Sequence, residues 1–541
     1  MNTKKNLKAI TDKLQELDKI SSDQKVNIES MIEAEDKESV SLAQDIINLK
    51  VEEALHNTLN DKQLEAFVSI INFIKDVEEE DVDCPGVVLK GYAGTGKTYL
   101  ITRVIEYIRT AYPSRKIAIT APTNKAVSVL YKSSKNAGAT FYDESKINAR
   151  DKIVYTTIHK LLSLKEVIYA DGTQKFVPGD KVKITDYKYV ILDELSMLDD
   201  KLFLELMKYK NKIKFIFLGD PAQIPPVKRT DCIPFKDDCP YNFKYLILDK
   251  IMRQKNGNPL VNLSVEVRNN LGSKTPAVPK TQLMGDKKSD GVILLNDSTV
   301  VKKVLNHYFT SSEFKKDSDH MKVIAWTNKT VNKINNLVRK MYHRKYYERY
   351  GRKELPRFLI GDKLVANKAI FKRKYNKQWQ STEYHVNFHT SKELTIRQIT
   401  IQDKLYKEFV NRMLTITETY KIYHIDVTYE SPEELNGIGH GYIEVIHEDS
   451  LDLYNYLLAD LKNQAVKNKT SKSWIKYYNV LKWNADVIYN YAITAHKSQG
   501  STYKNCLVID EDIDLNNKVI ERNRIRYTAY TRASSRLFII N

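Results

Sequence analysis

One stretch constrains this chain more than any other. The apolar run Val87-Val88-Leu89 leads into Gly91-Tyr92-Ala93-Gly94-Thr95-Gly96-Lys97-Thr98, and a helical pattern follows with Leu100, Ile101, Val104, Ile105 and Ile108 on one side. The glycines let the backbone curl so that successive N–H groups turn inward, and the next helix adds the positive end of its dipole to the same point. Such a loop cradles phosphates, with Lys97 placed to reach the β and γ phosphates of ATP and the Thr98 hydroxyl to ligate Mg²⁺. A strand before the loop and a helix after it call for an α/β fold with a parallel sheet.

The flanking sequence alternates accordingly. Strands are predicted at Val87–Leu89, Lys116–Thr120, Tyr189–Leu192 and Phe215–Leu218, each ending at a polar loop, and ligand sites in such sheets lie beyond the carboxyl ends of the strands. A second α/β region runs from about Tyr245 to Ile360, with strands at Gly291–Leu295 and Val323–Trp326. It resumes over Val487–Asn541, with strands near Cys506–Ile509 and Leu537–Ile540. Between the two pieces the texture turns β-rich, as at Leu414-Thr415-Ile416-Thr417 and Tyr442-Ile443-Glu444-Val445-Ile446, before a helical piece at Leu451–Ala465. The N-terminal residues carry Leu7, Ile10, Leu14, Leu17 and Ile20, then Leu42, Ile46, Ile47 and Leu49, at helical spacing, which predicts a docking or accessory helical hairpin without visible chemistry. The expected organisation is a helical extension over 1–57, a first α/β domain over 58–230, a second over 231–360 and 485–541, and a β-rich insertion over 361–484. Glu166–Pro178 alternates about Asp171-Gly172 and predicts a β-hairpin within about 163–182.

Charge points to the partner. There are 86 Lys+Arg against 68 Asp+Glu, a formal net charge of +18, which favours a polyanion such as nucleic acid. Cys84, Cys232, Cys239 and Cys506 are too scattered for a disulfide framework or a zinc site and read as reduced thiols. No apolar run approaches the ~20 residues of a membrane span, and the first residues lack an apolar signal core. The expected location is the cytoplasm, without membrane association.

Three further constellations carry chemistry. Val190-Ile191-Leu192-Asp193-Glu194 ends a buried strand in two carboxylates, one suited to hold Mg²⁺ (Asp193) and one to orient or deprotonate water (Glu194). Gln223, in Gly219-Asp220-Pro221-Ala222-Gln223, is a neutral donor and acceptor suited to sensing a γ-phosphate, on a loop stiffened by prolines. Arg253 and Arg532 are candidates to complete transition-state charge stabilisation from outside the first domain.

Taken in order, Leu59-Asn60-x-x-Gln63, the phosphate loop, Ala121-Pro122-Thr123-Asn124-Lys125-Ala126, Thr156-Thr157-Ile158-His159-Lys160, Asp193-Glu194-Leu195-Ser196, Gly219-Asp220-Pro221-Ala222-Gln223, Met252-Arg253-Gln254, Trp326-Thr327-Asn328-Lys329, Thr494-Ala495-His496-Lys497-Ser498-Gln499-Gly500 and Tyr530-Thr531-Arg532-Ala533 resemble a superfamily 1 helicase. Within that superfamily they are similar to the RecD-like class and its Dda-type members. The resemblance covers Leu59 to the C-terminus. It implies two RecA-like domains with ATP between them and an inserted Src-homology-3-like domain. It also implies 5′-to-3′ movement on single-stranded DNA. By the same pattern Gln63 reads the adenine, Arg253 and Arg532 reach the γ-phosphate from the second domain, and Gly500 couples nucleotide to DNA.

The resemblance places DNA contacts at Pro122, Thr123, Asn124, Thr157 and His159 on the first domain and at Asn328, Thr494 and His496 on the second. Short hydroxyl, amide and imidazole groups suit sequence-independent phosphate contact. The hairpin resembles the family's strand-separating pin, with Tyr169 or Phe176 stacking at the junction or else packing the hairpin onto its domain. Phe371-Lys372-Arg373-Lys374-Tyr375-Asn376-Lys377-Gln378-Trp379 interleaves cations and aromatics, as a DNA-facing strip or a solvated loop does. Trp474 and Trp483 are candidates to brace the pin or stack a base.

The expectation is therefore an ATP- and Mg²⁺-dependent DNA helicase acting as a monomer on single strands and their junctions with duplex. Replication or single-strand-binding proteins are candidate partners, and the host cytoplasm is the location if the chain is phage-encoded. The alternatives are a nucleotide-switched binding protein or translocase that does not unwind, and an RNA-directed motor.

Overall fold

The computed structural model describes residues 2–34, 36–79, 84–137, 153–179, 182–226, 231–252, 258–274, 279–284, 290–351, 354–376, 378, 381–410, 413–431 and 437–541. The chain forms two units, Met1–Ser163 with Asp180–Gly257 and Leu164–Gly179 with Asn258–Asn541.

The first unit begins with three helices, α1 (Asn2–Glu16), α2 (Ser22–Glu33) and α3 (Lys37–His56). Ser21 opens α2 in a reciprocal cap with Gln24, and Asp36 opens α3 by accepting from the Ser39 N–H. Of the two expectations for these helices, docking and accessory, the packing agrees with docking. Leu14, Ile32, Ile47 and Val51 are fully buried in one core with Phe67, Leu100, Tyr107 and Ile191. Each such side chain contributes about 1.5–3 kcal/mol, so the three helices stay docked on the unit.

Helix α4 (Asp61–Glu79) leads to β1 (Gly86–Gly91) and α5 (Lys97–Ala111), then to β2 (Ile117–Ala121) and α6 (Asn124–Ala137). The strands β3 (Ile153–Thr157), hairpin β4 (Leu164–Ile168) and β5 (Gln174–Pro178), β6 (Tyr189–Leu192), β7 (Lys214–Gly219) and β8 (Lys244–Leu248) follow. The sheet runs β3-β2-β6-β7-β1-β8 and every pairing is parallel. Two of its strands, β3 and β8, were not predicted. The expected boundary after residue 230 is also displaced, because β8 pairs with β1 and the unit continues to Gly257. The hairpin belongs with the second unit.

The second unit has a sheet of β9 (Gln282–Met284), β10 (Asp290–Leu295), β11 (Met321–Ala325), β19 (Ala492–Thr494), β20 (Tyr503–Ile509) and β21 (Ala533–Ile540), in the order β19-β11-β20-β21-β10-β9. Only β9 runs antiparallel. Helix α7 (Asn328–Tyr342) follows β11. The insertion contributes β12 (Lys363–Ala366), β13 (Ile370–Asn376), β14 (Ser381–Phe388), β15 (Glu393–Val410), β16 (Met413–Glu430) and β17 (Ile438–Ile446), and β18 (Val487–Tyr489), expected in the second α/β domain, joins them because it pairs with β12. Five of these form the sheet β17-β16-β15-β12-β18, while β13 and β14 pair separately. Helices α8 (Glu448–Asn468) and α9 (Ser471–Leu481) pack by Tyr454, Leu461 and Val480 on Tyr406, Tyr420 and Trp483. The insertion is keyed to its host by Asp362, whose carboxylate accepts from Arg339 Nε and Nη2, both at 2.8 Å, and meets His343 Nε2 at 2.9 Å. Burial opposes ionisation of Asp362, but His343 and Arg339 outweigh it and hold the carboxyl below its usual range.

Candidate nucleotide and nucleic-acid sites

The parallel sheet of the first unit delivers its motif residues at one edge. The phosphate loop leaves the carboxyl end of β1, Asp193-Glu194 that of β6, and the Gln223 loop that of β7. Gly94 and Gly96 take φ of 82° and 79°, in the left-handed region. A Cβ on Gly96 would lie 2.4 Å from Gln63 Nε2, so a side chain there would push Gln63 off the loop as well as strain the backbone. Gln63 Nε2 donates to the Thr95 carbonyl at 3.1 Å, and Asn60 caps the helix beneath by accepting from Gln63 N. The Lys97 ammonium donates to the Gly91 and Tyr92 carbonyls at 2.8 and 2.9 Å, folded back over the loop it follows. Thr98 lies half-buried at the start of α5.

The β8 segment, missed in the sequence, fastens this loop. Tyr92 N donates to Leu248 O at 3.0 Å and Met252 N to Gly94 O at 2.8 Å. Arg253 lies outside the described residues; Met252 just before it belongs to the first unit, whereas the sequence placed this motif in the second.

Asp193 takes the Glu194 N–H on Oδ1 at 2.8 Å. Burial pushes its carboxyl up, while the nearby Lys97 ammonium and the Glu194 N–H pull it part of the way back. Glu194 has φ of 57°; a non-glycine residue there costs on the order of 1 kcal/mol, a strain typical of functional positions. Gln223 is buried, and its Oε1 meets no hydrogen-bond partner among the described residues. A buried orphan acceptor costs about 1–3 kcal/mol and fits a site that a nucleotide or its water completes. The glycine cradle, the lysine, the Thr98 hydroxyl and the Asp193 carboxylate fit ATP and Mg²⁺.

On the second unit Arg532 is buried, and each of its nitrogens has a neutral partner. Nε donates to Thr528 O, Nη1 to Ser501 O and Nη2 to Thr531 Oγ1, at 2.9, 3.1 and 3.1 Å. Gly500 has φ of 70°, and the buried Ser501 Oγ beside it lacks a partner among the described residues.

The two sheets present the proposed DNA residues alike. In the first, Ala121 at the end of β2 is in register with Thr157 at the end of the edge strand β3, which brings Pro122, Thr123 and Asn124 beside Thr157 and His159. In the second, Ala325 at the end of β11 is in register with Thr494 at the end of the edge strand β19, which brings Asn328 beside Thr494 and His496. Several of these groups also serve the fold. Thr123 Oγ1 accepts from Ala126 N at 3.2 Å and Thr494 Oγ1 from Lys497 N at 3.3 Å, each capping a helix. Burial lowers the pKa of both His159 and His496, in His496 partly offset by Glu521.

Asp512 escaped the sequence reading. It is buried and accepts from Trp326 N, Thr327 N, Thr327 Oγ1 and Thr330 Oγ1 at 2.7, 2.7, 2.8 and 2.6 Å, fixing the loop that ends in Asn328. Its neighbour Asp510 binds Arg526 Nε at 2.9 Å, on the helix Val519–Tyr530 that leads to Arg532. One acidic turn therefore holds both the Trp326–Asn328 loop and the helix that leads to Arg532. Only an Asp-Glu-Asp run after an apolar strand signals it in the sequence.

The hairpin turns at Ala170-Asp171-Gly172, with Tyr169 and Phe176 both exposed. Its tip is fastened through its backbone. Trp474 Nε1 donates to Ala170 O at 3.1 Å and Tyr478 OH to Gly172 O at 2.8 Å. Trp474 thus braces the hairpin. Trp483 instead stacks on Tyr406 inside the insertion, with centroids 4.7 Å apart. In the basic strip, Lys377 and Trp379 lie outside the described residues.

A phosphate cradle, a strand-end carboxylate pair and a second parallel sheet bearing a buried arginine define a P-loop nucleotide hydrolase with two α/β domains. Residues 76–229 match the AAA domain family, and residues 489–540 match the UvrD-like helicase C-terminal domain. An uncharacterized protein of Acanthamoeba polyphaga mimivirus is 29% identical, over 83% of this chain and 94% of its own. The ATP-dependent DNA helicase dda of Enterobacteria phage T4 is 24% identical, over 83% of this chain and 92% of its own. The RecBCD enzyme subunit RecD of Buchnera aphidicola (subsp. Schizaphis graminum) is 24% identical, over 84% of this chain and 70% of its own. The chain is a relative of the RecD-like, class B helicases of superfamily 1. No helix among the described residues is long and apolar enough to cross a membrane.

Proposed function

We propose that this protein is an ATP-dependent DNA helicase that moves 5′-to-3′ along single-stranded DNA and unwinds the duplex ahead of it. The observation that carries the reading is the common strand-end edge of the first sheet, where the ATP residues follow β1, β6 and β7 and the DNA residues follow β2 and β3. Chemistry and track thus share one rigid sheet. The direction rests on the resemblance to RecD-like helicases.

Thr98 and Asp193 would hold Mg²⁺, which when bound would supply positive charge beside the phosphates. Lys97, bound to loop carbonyls, is poised to exchange them for phosphate oxygens. Glu194 orients the attacking water and takes its proton, and Gln223 directs its free acceptor to that water. Arg532 senses the γ-phosphate, since a buried guanidinium with only neutral partners retains its charge for an anion. The neutral hydroxyl, amide and imidazole groups along the track contact phosphates without reading sequence. The braced hairpin splits the duplex.

ATP turnover measured with DNA and RNA oligomers of one sequence tests the substrate class. Strong stimulation by DNA and weak stimulation by RNA is expected. Equal stimulation contradicts a DNA-directed motor.

A further inference from the structure

The insertion contains a cavity of about 90 Å³ whose wall includes Lys372, Arg373, Lys404 and Lys482 against a single carboxylate, Glu444. Glu444 is already engaged, pairing with Lys404 and meeting Tyr406 OH at 3.3 Å. Arg373 Nη1 donates to Lys407 O at 3.1 Å. The Lys372 ammonium lies over Tyr442 at 5.4 Å, and that of Lys482 over Phe371 at 4.9 Å and Tyr384 at 5.3 Å. Neither ammonium has a hydrogen-bond or ion-pair partner among the described residues. Rings supply roughly 0.5–2 kcal/mol to a cation but accept none of its N–H groups conventionally. Burial depresses the Lys482 pKa, with Glu166 and Glu408 opposing it from nearby. A half-buried ammonium in this state gains from an incoming anion.

The surroundings identify the anion. Lys372 and Lys374 share one exposed side of β13, about 7 Å apart along the strand, so cations continue out of the cavity as a row that a chain of phosphates spans and a single one does not. Lys482 directly follows α9, whose Trp474 and Tyr478 hold the hairpin tip, and Glu166 belongs to hairpin strand β4. We propose that this cavity and the β13 row form a second nucleic-acid site, which holds the phosphodiester backbone of a strand beside the hairpin. The proposal rests on the nucleic-acid function above.

Binding of the full chain to a forked DNA is measured against salt for the wild type, Lys372→Glu and Lys482→Met. Each lost phosphate contact should lower the slope of log K against log[salt] by about 0.7–0.9, with affinity falling several-fold. Lys372 is exposed, so its variant keeps the test valid should Lys482→Met fold poorly. Wild-type slope and affinity in Lys372→Glu overturn the proposal. Sodium tripolyphosphate binding that depends on Lys372, with an unchanged fork slope, also overturns it, since the cavity then takes a free polyphosphate. Stimulation of wild-type ATP turnover by single strands separates the two readings. Its absence sinks the parent function, whereas its presence with unchanged slopes sinks only this site.

Discussion

The indole N–H of Trp474 donates to the main-chain carbonyl of Ala170 at 3.1 Å, and the ring lies against Gly172 so closely that a Cβ there would be 2.6 Å from it. The hairpin tip is therefore held by its backbone, which leaves the Tyr169 and Phe176 rings exposed. Tyr478→Phe removes one bond to the tip, worth about 1 kcal/mol, and Trp474→Ala removes the packing as well. Unwinding should fall several-fold in the first and tenfold or more in the second, with single-strand-stimulated ATP turnover retained. Parallel loss of both activities would show that the contact merely supports the fold.

At the nucleotide site, Lys97→Ala and Glu194→Gln should each reduce ATP turnover by on the order of 10²–10³-fold or more. Single-strand binding should survive, because the DNA residues follow different strands. Turnover near the wild-type rate in either variant removes the assignment.

Asp512 holds two N–H groups and two hydroxyls of the Trp326–Thr330 loop. Asp512→Asn keeps the shape but replaces one acceptor oxygen with a donor, at a cost of about 1.5–3 kcal/mol. The concentration of single-stranded DNA giving half-maximal ATP turnover should rise about tenfold. An unchanged value would show that Asn328 is positioned by other means.

His159 and His496 have pKa values lowered by burial, so the unfolded chain binds more protons than the folded one as pH falls below about 6.5. Their contribution to stability is present above that pH and is lost on acidification through the folded pKa values. The paired variant His159→Gln/His496→Gln should lose less Tm than the wild type between pH 7.5 and 5.5. An equal or larger loss contradicts neutral, half-buried imidazoles.

The motifs were legible because phosphate chemistry demands particular residues at fixed spacing, as at Gly91–Thr98 and Asp193-Glu194. The paired strand ends around Thr157 and Thr494 were legible only by resemblance, since a threonine that caps a helix looks the same as one that meets a phosphate. Strand β8 was missed, and its residues were placed in the wrong unit, because it is an edge strand with Tyr245 and Ile247 exposed, so its pattern does not reveal its neighbour. Helical spacing found α1 and α3 but not what their apolar faces cover. Asp512 was illegible because its partners lie more than 180 residues away.

The central claim is tested most directly with two partial duplexes, one carrying a 5′ single-stranded tail and the other a 3′ tail, each incubated with and without ATP. The account predicts ATP-dependent opening of the 5′-tailed substrate alone. Opening of only the 3′-tailed substrate contradicts the direction, and failure to open either while single strands still stimulate ATP turnover contradicts the helicase itself.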